Sequence, residues 1–149
     1  MVVGMAAVEA GIDPANRVFC PGHYSLGSHD FHCWKKGGHG AVNLHDAIKH
    51  SCDVYFYDTA KRIGIEAIAD MARRFGLGET YGFEVPGEKA GLVPTPGWKR
   101  AVKGEVWHQG ETVIAGIGQG YLLATPLQLA VMTARIANGG HAVEPRLTR

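Results

Sequence analysis

Apolar residues fall at helical spacing over the first ten positions: Val2, Val3, Ala6, Ala7 and Ala10 share one side of a helix that Gly11 ends. No capping residue precedes this helix, which predicts that the natural chain continues upstream. Periodicity then disappears. Residues 12–42 are a long irregular region rich in Gly, His and aromatic residues, and a stretch of that length needs internal bracing. Helical pattern returns at residues 44–50, with Asn43 as N-cap. Ser51 sits at a break, and a second helical run goes from Asp53 to Ile63, ended by Gly64. Ile65, Ile68, Ala69, Ala72 and Phe75 mark the inner face of another helix, closed by Gly76. Residues 77–111 are punctuated by Pro86-Gly87 and Pro94-Thr95-Pro96-Gly97, predicting turns, short strands and a single helical turn around Trp98. Thr125-Pro126 starts a helix over 126–137. That helix is apolar nearly all round, which predicts burial on every side. Asn138-Gly139-Gly140 ends it, and residues 141–149 read as the entry to a strand that is cut off.

Composition narrows the function classes. The chain has 149 residues, 46% hydrophobic and 19% charged, enough for one domain with a real core. A net charge of +1 leaves no electrostatic footprint for nucleic acid, and Lys35-Lys36 and Arg73-Arg74 are pairs, not clusters. The longest apolar runs fall well short of the roughly 18 residues a membrane span needs. Residues 1–10 lack the charged lead and cleavage site of a signal peptide. There is no internal repeat.

Two constellations carry chemistry. In Ser51-Cys52-Asp53 a hydroxyl and a carboxylate stand two residues apart, ahead of the aromatic run Tyr55-Phe56-Tyr57. A Ser hydroxyl can accept one proton and donate another, so it suits a relay. The same pair also suits a helix start, with Ser51 as cap and Asp53 at the positive end. The second constellation is Cys20, Cys33, His39 and Cys52, which includes all three cysteines. Three thiolates and an imidazole make a closed tetrahedral zinc set. A disulfide with one free thiol, or three buried apolar thiols, would satisfy the same sequence. His23, His29, His32, His45 and His50 crowd the window, and His29-Asp30 could support such a site from outside it. Tyr55, Phe56, Tyr57, Trp34, Trp98 and Trp107 read as packing residues. Gly118-Gln119-Gly120 reads as a tight turn, with Gln119 a candidate for lining a cleft.

The ordered set Phe31-His32-Cys33-Trp34-Lys35, Gly38-His39-Gly40, Ser51 to Tyr57, Phe75-Gly76-Leu77-Gly78, Val85-Pro86-Gly87-Glu88, Gly116 to Gly120 and Thr125 to Ala130 resembles the transpeptidase domain of class B penicillin-binding proteins. The resemblance runs over nearly the whole chain. It implies an α/β (α+β) penicillin-binding-protein/β-lactamase-like fold, of which these residues form the mainly helical part with a loop-rich zinc-braced region. It also implies acyl transfer from D-Ala-D-Ala stem peptides of peptidoglycan, with β-lactams as acylating inhibitors. Of the family's three motifs only the middle one, Ser51 and Asp53, is present; Ser-x-x-Lys and Lys-Ser/Thr-Gly do not occur. By the resemblance they lie before Met1 and beyond Arg149, so the chain is a partial transpeptidase domain. Ser51 is then the relay serine, Asp53 orients substrate or neighbouring groups, and Cys20, Cys33, His39 and Cys52 match positions at which some members hold zinc. An inner-membrane anchor, a periplasmic catalytic domain and a glycosyltransferase partner in the cell-elongation complex are implied too. The competing readings are a D,D-carboxypeptidase and a non-catalytic zinc-braced binding or sensor module.

Overall fold

The computed structural model describes residues 1–82 and 86–146. In chain order the elements are helix α1 (Val2–Glu9), strands β1 (Val18–Cys20), β2 (His23–Leu26), β3 (His29–His32) and β4 (Gly40–Val42), then helices α2 (Leu44–His50), α3 (Asp53–Arg74), α4 (Pro96–Lys103), α5 (Gln109–Ala115) and α6 (Pro126–Ala137). Helix α3 is the axis of the molecule: α1, α2, α5 and strands β1, β2 and β3 all pack on it. Its sequence explains this. Val54, Tyr55, Tyr57, Ala60, Ile65, Ile68, Ala69 and Ala72 are all buried, giving apolar surface to neighbours along its length. Gly64, at φ 81° and ψ 167°, kinks it where the sequence predicted one helix to end and another to begin.

The region 12–42 is more regular than its sequence suggests. Strands β1 and β4 pair antiparallel with Cys20 opposite Gly40, and β2 and β3 form a hairpin with His23 opposite His32. Gly27, at φ 61°, opens the two-residue turn. Aromatic rings fasten this hairpin to α3: Tyr57 lies 6.1 Å from Tyr24 and 5.8 Å from Phe31, centroid to centroid. The Tyr57 hydroxyl also donates to the His32 carbonyl at 3.2 Å. Burial, then the charges of Asp53 and Cys33, push the Tyr57 phenol up to about 12, so it stays a donor at neutral pH. Tyr55 and Tyr57 are thus the core residues the sequence implied.

Three expectations need correction. The helix around Trp98 has two turns, because Thr95 accepts a hydrogen bond from the Trp98 amide and Pro96 pre-sets the first helical residue. Helix α5 has no counterpart in the sequence reading; its start is set by Glu111, whose carboxylate accepts from the His108 amide at 2.7 Å. Helix α6 is not buried on every side. Only Gln128 and Val131 are buried, while Leu129 is 46% exposed. An all-apolar periphery permits burial on any side, but only one face of α6 meets the rest of the chain.

The fully buried Gln128 is the bracket that docks this helix. Its Nε2 donates to the carbonyls of Glu79 and Ala90 at 2.7 and 2.8 Å, and its Oε1 accepts from the Thr125 amide at 3.0 Å. Residues 141–146 lie outside regular structure, and the rest of the expected strand entry, like Val85 of the Val85–Glu88 motif, falls outside the described residues. No helix among the described residues is long and apolar enough to cross a membrane. Replacing Gln128 by Leu strands three backbone groups at once, and urea denaturation should show a loss of roughly 2–3 kcal/mol. A loss under about 0.5 kcal/mol would show that water replaces the bracket.

Candidate functional site

Two short stretches of backbone meet at the N-terminus of α3. The first is the turn between α2 and α3. Asn43 starts α2 by accepting from the Asp46 amide at 2.9 Å. Ser51 ends it at φ 51° and ψ 52°, the sole non-glycine residue with positive φ among those described. Left-handed backbone costs an L-residue roughly 1–2 kcal/mol, and Gly is the usual occupant of this position. Here a Ser stands there instead. The next residue, Cys52, is wholly buried, and its amide donates back to the Ala47 carbonyl at 2.9 Å. Asp53 then opens α3.

The second stretch is the loop from Cys33 to His39, folded against residues 20–22. Close approach makes this possible. A Cβ on Gly38 would lie 2.1 Å from the Cys20 carbonyl oxygen, and one on Gly22 would lie 2.3 Å from that of Lys36. Both glycines have positive φ. The Cys33 amide closes the crossing by donating to the Gly22 carbonyl at 2.8 Å.

These crossings bring the four sulfur and nitrogen residues together. The His39 Nδ1 lies 3.7 Å from Cys20 Sγ and 3.5 Å from Cys33 Sγ. With Cys52, the four donor atoms lie within 4.8 Å of one another. All three cysteines are free and buried, so no disulfide forms among them. Burial, and then the neighbouring Cys20 and Cys33, push the Cys52 thiol up to about 12. A cation beside that sulfur would oppose the shift and favour the thiolate. Burial first, and then the charges of Lys35 and His50, hold His39 below its usual range, leaving a neutral imidazole. Its Nε2 is buried with no hydrogen-bond partner. Zinc fits this donor set: tetrahedral Zn–S and Zn–N bonds imply edges of roughly 3.5–3.8 Å, and the two sulfur–nitrogen distances fall in that range.

Ser51 and Asp53 face the other way. Both line a cavity of about 600 Å³ whose walls include Phe56, Gly116, Gly118 and Leu122. Gln119 is exposed and lies outside that lining, its amide bonded to the Ile114 carbonyl at 3.2 Å. His29-Asp30 sits on the hairpin, where Asp30 accepts from the Ser25 hydroxyl at 2.6 Å and not from the cluster.

Trp34 joins the two stretches. Its backbone amide donates to Asp53 Oδ2 at 2.9 Å. Its indole Nε1 donates to the carbonyls of His50 and Ser51 at 3.1 and 2.9 Å. The ring meets His39 edge-on at 5.4 Å. The sequence reading made Trp34 a packing residue, yet it is 65% exposed. Its hydrogen-bond partners lie 16–19 positions away in sequence, so no local pattern signals this role.

Because Ser51 occupies left-handed backbone, Ser51→Gly should be more stable than Ser51→Ala by about 1 kcal/mol. Equal stabilities in chemical denaturation would contradict the left-handed turn.

Comparison with known proteins agrees with this architecture. The family described as "Penicillin binding protein transpeptidase domain" matches residues 1–149. A peptidoglycan D,D-transpeptidase MrdA from Acinetobacter baumannii is 46% identical over 148 residues, covering 97% of this chain and 22% of the relative. The chain therefore spans about a fifth of the length of that relative. Among solved structures, Pseudomonas aeruginosa PBP2 in complex with WCK 5153 superposes with a TM-score of 0.92 at 46% identity, covering 97% of this chain and 33% of that one. A Helicobacter pylori PBP2 solved in complex with MreC gives 0.89 at 41% identity, covering 93% and 26%. With the match extending from the first residue to the last, this chain belongs to the penicillin-binding protein transpeptidase domain family.

Proposed function

We propose that this chain supplies the Ser51–Asp53 part of a serine-type peptidoglycan D,D-transpeptidase, which cross-links stem peptides by acyl transfer and is acylated by β-lactams. The observation that carries this reading is the opposed placement of three consecutive residues: Ser51 and Asp53 line the cavity while Cys52 is buried behind them. Likeness to the Acinetobacter transpeptidase over nearly the whole chain supports it. The nucleophile and its Lys, and the Lys-Ser/Thr-Gly strand, belong on segments flanking this one.

Within that centre the chain's residues have defined work. The Ser51 hydroxyl accepts a proton from one side of the cleft and donates one to the departing D-Ala nitrogen on the other. Its left-handed backbone aims it. Asp53, held through Oδ2 by the Trp34 amide, keeps its remaining acceptor capacity toward a substrate amide. The walls around Phe56 and Leu122 are apolar and would favour the uncharged parts of a bound stem peptide.

Zinc belongs in this proposal as a structural ion held by Cys20, Cys33, His39 and Cys52. Bound there, it would balance the charge of the thiolates and tie the Cys33–His39 loop to Cys52. Support comes from the donor geometry and from the burial of three free thiols beside one imidazole. The finer assignments extend to a periplasmic catalytic domain on an inner-membrane anchor, with elongation-complex partners that include a glycosyltransferase. The Helicobacter relative seen with MreC supports partners of that kind.

Two outcomes are expected. Incubated with penicillin, the full-length protein should gain one covalent adduct by intact mass, and the 149-residue chain alone should gain none. An adduct on the chain alone would contradict the placement of the nucleophile. Metal analysis of the full-length protein should find about one zinc per chain, and Cys33→Ser should lose it. Full zinc in the variant would remove Cys33 from the ligand set.

A further inference from the structure

Trp34 touches both the Cys/His cluster and the cleft-facing turn. Four observations define it. It follows Cys33 directly in the chain. Its ring lies edge-on to His39. A single indole N–H is shared between two carbonyls, those of His50 and Ser51, on either side of a left-handed residue. The ring itself is largely exposed, so it buries little apolar surface and contributes little as core. An exposed Trp whose polar atom is spent on the last carbonyls of a short helix is placed for geometry, not for packing.

The physical consequence lies in the turn. Ser51 has no glycine to make left-handed backbone cheap, and the seven residues of α2 offer few hydrogen bonds to hold it there. The carbonyls of His50 and Ser51 end that helix. Were they unpaired, the turn could relax by rotating Ser51 toward right-handed backbone, carrying its hydroxyl away from the cavity. The indole N–H favours the arrangement in which both carbonyls converge on one point. The backbone amide of the same residue fixes Asp53. One residue therefore sets the spacing between hydroxyl and carboxylate.

We propose that Trp34 is a positioning residue for the relay serine: its indole N–H holds Ser51 in the left-handed conformation from which the hydroxyl reaches the acyl centre. The inference rests on the transpeptidase reading above. It predicts that the donor, and not the ring, is what acylation needs.

The test uses the full-length protein and two replacements. Trp34→Phe keeps an aromatic ring and the backbone amide but deletes the donor. β-(3-Benzothienyl)alanine at position 34 keeps the bicyclic shape and substitutes sulfur for the N–H, and it decides the matter should the Phe variant fail to fold. Stopped-flow acylation by a chromogenic β-lactam separates the maximal acylation rate from the half-saturating concentration. Both proteins should acylate about tenfold more slowly at saturation, the scale of one lost hydrogen bond in a transition state. The half-saturating concentration should stay within about twofold and zinc content should match the parent, while the melting temperature falls by no more than a few degrees, the scale of one lost hydrogen bond. A wild-type maximal rate in the benzothienyl protein would overturn the proposal. So would a loss confined to the half-saturating concentration, which would make the ring a binding surface. A parent protein that forms no acyl adduct would instead overturn the transpeptidase reading.

Discussion

Cys52 has no exposed surface, and the backbone leaves its two neighbours no way to follow it inward. Its sulfur lies against those of Cys20 and Cys33, beside the imidazole of His39. Ser51 bends left-handed on one side of it, and Asp53 starts a helix on the other. The cleft-facing pair is thus aimed by the residue between them. Everything else in the region serves that constraint. Gly22 and Gly38 let two loops cross at a distance no side chain permits. The rings of Tyr24, Phe31 and Tyr57 fasten the hairpin to α3, which bears Asp53 at its first residue.

Helix α3 carries this arrangement into the body of the molecule. Its first half packs under the cluster and its second half, beyond the Gly64 kink, packs with α1 and Leu77. Arg74 at its far end holds Glu9 of α1 through both carboxylate oxygens, at 2.7 and 2.6 Å. That pair is exposed, so it contributes little to stability on its own; it marks the register of α1 against α3. The cavity then forms between α3, the Gly116–Gly118 turn and α6, with mostly apolar walls and two polar groups at one side.

What could be read from the sequence followed from how local each signal is. Asn43, Gly64 and Thr125-Pro126 mark helix ends through contacts within four residues, and each lies where expected. The Cys and His residues were recognisable by type, because few roles suit three cysteines and a histidine around a long loop. Their convergence was implied by the resemblance and is what the structure shows; the backbone route to it was not legible, since it depends on glycines that let residues 20–22 and the Cys33–His39 loop cross. The short strands were hidden because three or four residues carry too little alternation, and His23, Asp30 and His32 break it. Burial of α6 was over-read because apolar composition says what a face tolerates, not what covers it. Trp34 was misread for a related reason: a Trp usually packs, and only its distant carbonyl partners show otherwise.

The central claim is that the buried Cys/His cluster seats Trp34 and, through its indole, holds Ser51 in left-handed backbone. NMR of the full-length protein, labelled at serine in one sample and at glutamine and leucine in another, reports this through the Ser51 amide–Hα coupling and carbon shifts. The account predicts a left-handed signature in the parent that is lost, or averaged with right-handed backbone, in Cys20→Ala/Cys33→Ala, while the chemical shifts of Gln128 and the α6 residues stay in place. A Ser51 that keeps its left-handed signature without those two thiols would contradict it.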